Sequence, residues 1–229
     1  MGILSKLGGM AAGAVAAAAL LIPGTARAQL DASTSLGGAD ANWTATAGQT
    51  VGTGNAVLHA EAGWPGVGFT YLKGMNESTD LGFHIGFNYG LEGTTNGLAG
   101  VNLAVPYRRL LGRSGDTTLA FRTDPGVSFY SDAGLRVGVG GPLGLVAGLK
   151  VDQRLTLDLG ADVNTLVSFT NSAGVLFGPQ FGGGAEYLID QNLAVTARLR
   201  AGPEFLLTSH GSSSQVGVTG LIGLAYNAR

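Results

Sequence analysis

Three histidines are the first residues to examine for chemistry in this chain of 229 residues. His59, His84 and His210 do not stand at metal-ligand spacing from one another, and the chain has no cysteine. His210-Gly211-Ser212 is the nearest approach in the sequence to a histidine base beside a serine nucleophile. It lies in a Gly/Ser-rich stretch that favours an ordinary turn. No Walker loop, dinucleotide fingerprint, HExxH or GxSxG motif is present. The sequence therefore predicts no catalytic residue, no metal and no cofactor.

The acidic and basic residues follow a regular pattern. From Leu81 onward nearly all of them stand at even positions. Successive side chains of a strand point to opposite faces, so residues of one parity share a face. Because an unpaired buried charge is costly, the near balance of seven basic and five acidic residues on this face predicts mutual ion pairs. The predicted charge network comprises Arg108, Arg122, Asp124, Arg136, Lys150, Arg154, Asp158, Asp162, Glu186, Arg198, Arg200 and Glu204.

Apolar residues occupy the other parity. In residues 155–167 the odd positions carry Leu, Ala, Val and one Thr, whereas Asp158, Asp162 and Asn164 stand at even positions. All nine phenylalanines of the chain are at odd positions as well. A period of two indicates β-strands with one apolar and one polar face.

Turn-rich stretches of Gly, Pro, Asn, Asp and Ser separate about ten such strands, within a range of eight to twelve. Shared parity from strand to strand predicts an uninterrupted antiparallel meander. Pro125, Pro142, Pro179 and Pro203 fall inside long strands, where each removes a ladder hydrogen bond and predicts a bulge or bend. The predicted strands are 55–62, 66–73, 80–90, 97–109, 116–130, 134–150, 154–169, 173–189, 192–208 and 214–227.

Residues 1–28 have the features of a signal peptide. Lys6 provides the positive charge, residues 11–22 are apolar or small, and Ala26-Arg27-Ala28 is a small-x-small cleavage site, so cleavage is predicted after Ala28. Residues 29–54 are rich in Gly, Ala, Ser and Thr and are predicted to be a flexible periplasmic lead-in, with a poor strand possible only near Trp43. The remaining 55–229 form the predicted barrel domain.

The composition excludes several classes of protein. Without the signal peptide, 11 basic residues face 15 acidic ones, a net charge of −4, which argues against a nucleic-acid partner. The absence of cysteine leaves neither a disulfide frame nor a lipoprotein anchor. Forty glycines, 12% charged residues and a mean hydropathy of +0.27 are typical of a membrane barrel, which disperses its apolar residues in alternation.

Residues 55–229 resemble, in pattern, the small transmembrane β-barrels of Gram-negative outer membranes, the class that contains the OmpA-type and OmpX-type barrels. The resemblance implies a closed all-β antiparallel up-and-down barrel, short periplasmic turns and insertion by the barrel-assembly machinery. It implies contact with outer-membrane lipids and lipopolysaccharide, and a location in the outer membrane. Such barrels usually end on an aromatic residue, whereas this chain ends Tyr226-Asn227-Ala228-Arg229.

The tyrosines and the inward glycines refine this expectation. A membrane barrel carries aromatic girdles at both water boundaries. Glycines on the charged face leave either a water-filled passage or room for long arginines. The small size of the barrel favours a charge-paired plug over an open pore. The function expected is therefore a non-enzymatic outer-membrane barrel, structural or a narrow small-solute channel. The alternatives are a soluble secreted β-sandwich for binding or adhesion and an outer-membrane lipid-modifying enzyme. The predicted girdle residues are Tyr71, Tyr89, Tyr107, Tyr130, Tyr187 and Tyr226.

Overall fold

The computed structural model describes residues 43–91, 97–131, 134–169, 173–209 and 211–228. The predicted signal peptide, residues 29–42 of the predicted lead-in and His210 lie outside the described residues. No helix among the described residues is long and apolar enough to cross a membrane.

The described residues contain thirteen strand segments. Three pairs of them, β4 with β5, β6 with β7 and β8 with β9, are each one strand interrupted at a proline, so the thirteen segments make ten strands. The segments are β1 (Ala56–Trp64), β2 (Gly66–Asn76), β3 (Thr79–Gly90), β4 (Gly97–Ala104), β5 (Tyr107–Ser114), β6 (Thr117–Thr123), β7 (Gly126–Ser131), β8 (Leu135–Gly140), β9 (Leu143–Lys150), β10 (Leu155–Ser168), β11 (Gly174–Leu188), β12 (Leu193–Thr208) and β13 (Gly211–Ala228).

The sheet closes on itself. Every strand pairs antiparallel with the strands before and after it in the chain. The last strand, β13, pairs with β1, with Ala56 opposite Ala228 and Trp64 opposite Gly220. Closure leaves no strand edge unpaired, which is how a barrel satisfies its backbone donors and acceptors. The predicted closed antiparallel barrel of ten strands is confirmed.

Three prolines interrupt strands at one level of the barrel. Proline has no N–H for the ladder, so pairing stops at Pro106, Pro125 and Pro142. The neighbouring amides bond across the gaps, from Val105 N to Pro125 O at 2.9 Å and from Asp124 N to Pro142 O at 3.1 Å. The bends predicted at Pro125 and Pro142 are confirmed, whereas predicting one continuous strand over 97–109 was wrong because Pro106 divides it.

The prolines of β11 and β12 do not divide their strands. The ladder between these strands passes from Phe177 opposite Phe205 to Phe181 opposite Ala201, without the pairs in between. A Cβ atom at Gly202 would overlap the carbonyl of Pro179. Glycine beside the proline thus lets the two backbones lie close where the ladder is irregular. The structure has a local irregularity here rather than a break.

The parity of the inward residues changes at both ends of the barrel sequence. Even-numbered residues point inward from β2 to β12, as predicted. In β1 and β13 the odd-numbered residues are inward, because Ala62 lies opposite Val67 and Leu193 opposite Tyr226. An odd residue opposite an even one reverses the parity of the whole strand. The prediction that odd residues face outward throughout was therefore wrong for these two strands.

The barrel has two mouths, defined here by the chain ends. The proximal mouth is where β1 begins and β13 ends, together with the β2–β3, β5–β6, β9–β10 and β11–β12 turns; the distal mouth is the other end. Two proximal turns are closed by aspartates. Asp152 Oδ1 accepts the amides two and three residues ahead at 2.7 and 2.8 Å, and Asp190 does the same. These short Asp turns occur where the turn residues predicted them.

Candidate functional site in the barrel lumen

Two arginines and two aspartates form a cluster in the middle of the lumen. Arg122 donates two hydrogen bonds to Asp162, at 2.9 Å from Nε and 2.5 Å from Nη2. Arg200 places Nη2 3.2 Å from Asp158 Oδ1 and Nε 3.2 Å from Asp162 Oδ2. The four residues come from β6, β10 and β12, no two of which are neighbours in the sheet. Because this cluster crosses the lumen, its ion pairs fill space that an open pore would need.

Inward glycines leave the space that these side chains occupy. A Cβ atom at Gly160 would overlap Nη2 of Arg200, and one at Gly184 would overlap the carboxylate of Asp158. Of the two predicted uses for inward glycine, room for an arginine side chain is found at Gly160, and Gly184 gives room to an aspartate in the same way. A larger residue there would displace an ion pair.

A second charged cluster joins β1 to β12. Arg198 Nη2 lies 2.6 Å from Glu61 Oε1, and His59 Nδ1 lies 3.8 Å from Glu61 Oε2. The other ring nitrogen of His59 shares a hydrogen bond of 2.9 Å with Thr196 Oγ1. Arg198 belongs to the predicted network, whereas Glu61 and His59 do not, because the parity of β1 is reversed. Another histidine of the wall, His84, shares a hydrogen bond of 2.7 Å between Nδ1 and Thr70 Oγ1.

Residues 43–51, called here the plug segment, lie inside the barrel at the proximal mouth. They form no strand, and all of them are buried except Gln49, which is half-buried. Trp43 and Val51 pack in an apolar cluster with inward residues of the wall, including Val57 and Leu188. The plug segment therefore closes much of this mouth.

Arg108 holds the main chain of the plug segment. Its guanidinium donates to the carbonyl oxygens of Thr44 at 2.7 Å, Ala45 at 3.2 Å and Ala47 at 2.8 Å. The same side chain lies 2.7 Å from Asp80 Oδ2, which fixes its orientation. Hydrogen bonds from a charged group are about twice as strong as neutral ones. Arg108 thus satisfies buried carbonyls that no strand pairs.

Two carboxylates hold the amides of the same segment. Glu186 accepts from Ala45 N at 3.0 and 2.9 Å and from Thr46 N at 3.2 Å. Asp80 accepts from Val51 N at 3.2 Å. Arg108 and Glu186 belong to the predicted network, but the prediction expected side-chain partners for them. Arg108 has such a partner in Asp80, but both residues also bond the main chain of the plug segment, which the prediction did not include.

Glycine and alanine permit the plug segment to touch the wall. A Cβ atom at Gly48 would lie 2.7 Å from Thr118 Oγ1 and 3.1 Å from the carbonyl oxygen of Val146. On the wall, a Cβ atom at Gly148 would lie 3.2 Å from that of Ala47. Such distances leave no space for larger side chains at either glycine.

Residues 29–54 were predicted to be a flexible lead-in, but the second half of this stretch is held inside the barrel. Residues 43–51 are buried and bonded to the barrel wall, and Gly52 and Gly54, with φ of 87° and 78°, turn the chain into β1. Asn55 Nδ2 closes this turn on Val51 O at 3.1 Å. The strand considered near Trp43 does not form.

The distal half of the lumen contains a second apolar cluster. Leu91, Tyr130 and Leu176 are buried together, with Leu98, Leu166 and Leu206 packed against them. Tyr130 is 1% exposed, so its assignment to the outer girdle was wrong. It stands at an even position of β7, where even residues point inward, and its hydroxyl accepts from Asn88 at 3.3 Å. Glu204 is fully buried in the same half and accepts from Gln180 Nε2 at 2.9 Å.

The remaining residues of the predicted network are spread along the lumen and are not brought into one cluster. Asp124 lies midway along it, beside the lumen cavity described below. Lys150 faces the proximal mouth. Arg136 near the start of β8 and Arg154 in the β9–β10 turn are half-buried.

Of the predicted girdle tyrosines, four are exposed on the outer surface: Tyr71, Tyr89, Tyr187 and Tyr226. Leu58 lies opposite both Tyr71 and Tyr226, so these two form one row near the proximal mouth. Tyr89, at the distal end of β3, packs edge-on against Trp64 at 5.7 Å between ring centroids. Tyr107 is half-buried against Phe121.

Two cavities lie on either side of the plug segment. The lumen cavity, of about 150 Å³, is lined by Ala45 and Thr46 of the plug and by polar wall residues such as His84, Asp124 and Asn164. The vestibule, of about 250 Å³ at the proximal mouth, is lined by Trp43, Thr44 and Gln49 from the other side, with Lys150 and Glu186. The described residues contain no group of three or more His, Cys, Asp or Glu side chains placed to hold a metal ion.

The fold and lumen define a closed β-barrel with a charged, internally plugged interior. No protein-family model matches the sequence, and no curated protein matches it. Solved structures that match the chain include the outer membrane channel DcaP of Acinetobacter baumannii, at 15% sequence identity and a TM-score of 0.29. The match covers 71% of this chain and 62% of the length of that channel.

Proposed function

We propose that this protein is a non-enzymatic integral β-barrel of a bacterial outer membrane, with a lumen closed at rest by paired charges and by its plug segment. The observation that carries the proposal is the distribution of apolar side chains. Soluble proteins bury large apolar residues and expose charged ones. This barrel largely does the reverse, since its ion pairs are inside and most of its large apolar side chains are exposed on the outside.

The apolar outer surface is continuous around the barrel. Every one of the ten strands in the described residues exposes at least one large apolar side chain, a surface far beyond the few hundred Å² of apolar patch usual on a soluble monomer. A bilayer covers such a belt, and exposed tyrosines near both mouths suit its water boundaries. Exposed members of the belt include Leu58, Phe69, Phe83, Leu103, Leu119, Phe129, Val139, Leu145, Leu159, Phe181, Leu199 and Ile222.

Membrane extraction tests this proposal directly. The protein, expressed with its signal peptide in a Gram-negative host, is expected in the outer-membrane fraction and to require detergent for extraction. A closed barrel resists SDS until boiled, so the unboiled protein should migrate faster than the boiled one. A soluble secreted β-sandwich would instead appear in the periplasm or medium without detergent, and that result would refute the proposal.

A narrow small-solute channel is the second candidate. The lumen cavity of about 150 Å³ favours it, because a fully packed interior would leave no such space. Passage would require movement of the plug segment at one end and of the apolar cluster around Tyr130 at the other. We therefore expect no steady conductance from the unmodified protein in planar bilayers.

A further inference from the structure

The plug segment is attached in a way that differs from the rest of the barrel. Strands of the wall share ladders of backbone hydrogen bonds with two neighbours, whereas residues 43–51 form none of these ladders. Their main-chain groups are held largely by three side chains, those of Arg108, Asp80 and Glu186. Removing the segment from the lumen would therefore break no strand pair.

Both ends of the plug segment lie at the same mouth. Trp43 Nε1 donates to Gln191 O in the β11–β12 turn at 3.0 Å. At the other end, Gly54 N donates to Gly74 O at 3.0 Å, near the β2–β3 turn. A segment that enters and leaves through one mouth can withdraw through it without threading the barrel. The turn at Gly52 and Gly54 allows the required change in backbone direction.

The plug segment also separates two spaces. Ala45 and Thr46 line the lumen cavity, while Trp43, Thr44 and Gln49 line the vestibule. Withdrawal of these residues would join the two cavities into one polar passage from the proximal mouth to the middle of the barrel. Both cavities contain charged wall residues, such as Asp124 and Lys150, that water can solvate.

We propose that residues 43–51 are a displaceable internal gate, which controls access from the proximal mouth to the lumen cavity. The proposal deepens the proposed function and rests on it for the membrane setting, although the gate itself can be measured on the purified barrel. Displacement exchanges the bonds of Arg108 and Glu186 to the plug main chain for bonds to water, which reaches them once the mouth is open. The closed and open states differ in the plug segment and leave the strand ladders unchanged.

Gly48→Val opens the gate without changing the wall. The valine side chain has no space against Thr118 Oγ1 and the Val146 carbonyl, so the plug segment should leave its site. Gly112→Val is the matched control, because Gly112 is exposed in β5 and a Cβ atom there would meet nothing within 4 Å. Glu186→Ala is an independent second variant, which removes the acceptor of the Ala45 and Thr46 amides.

A single cysteine reports the opening, since the chain has none of its own. Thr70 lines the lumen cavity in the middle of β2, and cysteine is close to threonine in size. In detergent-purified full-length protein, Thr70→Cys is treated with a negatively charged thiosulfonate and the modification rate is followed. We expect Gly48→Val and Glu186→Ala each to raise this rate about tenfold or more, because the rate follows the open population. Gly112→Val should leave it unchanged.

Heat-dependent migration of each variant establishes that the barrel is folded. Unchanged rates in folded Gly48→Val and Glu186→Ala would overturn the gate, as would rapid modification of Thr70→Cys with no further substitution. Failure of the membrane proposal would be seen separately, as a soluble protein after cell fractionation. The two results are independent because the thiol assay needs no membrane.

Discussion

Arg200 is the residue on which the central charged cluster depends. It bridges Asp158 and Asp162 and is itself almost fully buried, so both carboxylates rely on it for part of their compensation. Asp162 keeps a second partner in Arg122, whereas Asp158 has Arg200 as its ion-pair partner in the described cluster. Loss of Arg200 would leave a buried carboxylate without its guanidinium.

Arg200→Ala should therefore lower the free energy of unfolding by about 3–5 kcal/mol, as expected when one partner of a buried ion pair is removed. Arg113→Ala, at an exposed position near the β5–β6 turn, should change it by about 0.5 kcal/mol or less. Urea titration of both variants in lipid vesicles measures the difference.

The Arg200→Ala variant is also recorded in planar bilayers. Removal of the side chain that lies over Gly160 enlarges the lumen of this variant. A stable open channel in the unmodified protein would contradict the closed lumen. Equal free energies of unfolding for the Arg200→Ala and Arg113→Ala variants would contradict the conclusion that the central charged cluster stabilises the barrel.

At the residue scale, the sequence predicted which side chains face the lumen better than it predicted their partners. Arg122, Asp158, Asp162 and Arg200 share a parity, and that parity alone places them inside. Asp80 also has this parity, but it precedes Leu81, where the predicted charge pattern begins. Partner identity depends on which strands face each other across the lumen, and this is a property of closure that local pattern does not contain.

At the scale of elements, strands and plug segment differ in how far the sequence specifies them. Strands leave a signal because one face is apolar and the other polar. The plug segment is held through backbone carbonyls and amides, which every residue possesses, so its side chains do not indicate these contacts. The Thr-Ala alternation of residues 44–47 predicts only a poor strand. The register reversal at β1–β2 is similarly local to a turn. These are the parts that sequence reasoning missed.

At this scale, the membrane-facing assignment of a strand can be tested by comparing two positions that lie at different depths in the bilayer. Leu159, near the middle of β10, is 72% exposed on the outer surface, while Leu155 on the same face lies at the proximal end opposite Tyr187. An arginine facing the bilayer centre costs about 2–4 kcal/mol, and one near the boundary about 0–1 kcal/mol. Leu159→Arg should therefore destabilise the barrel in vesicles much more than Leu155→Arg.

The comparison is internally controlled because the two substitutions share a strand, a face and a residue type. In a soluble barrel, water would solvate either arginine and the difference would vanish. Equal costs in vesicles would therefore count against the membrane-facing assignment of the outer surface.

At the scale of the whole molecule, the barrel is layered from outside to inside and from mouth to mouth. The outer surface is apolar, the middle of the lumen is ionic, and each half of the lumen adds an apolar cluster, around Trp43 at the proximal mouth and around Tyr130 in the distal half. Backbone closure supports all of these layers. The orientation of this arrangement in the membrane decides which compartment the plug segment faces.

An even number of strands places both ends of the barrel at one mouth, and in bacterial outer-membrane barrels the short turns lie on the periplasmic side. The proximal mouth carries the β1 start, the β13 end and the compact Asp152 and Asp190 turns, so we expect it to face the periplasm. An epitope tag between Asp152 and Gln153 should be labelled by antibody only after the outer membrane is permeabilised. A tag after Ser209, in the distal β12–β13 turn, should be labelled on intact cells. The reverse labelling would mean that the barrel has the opposite orientation in the membrane. The plug segment would then lie at the cell surface and control entry from outside instead of access from the periplasm.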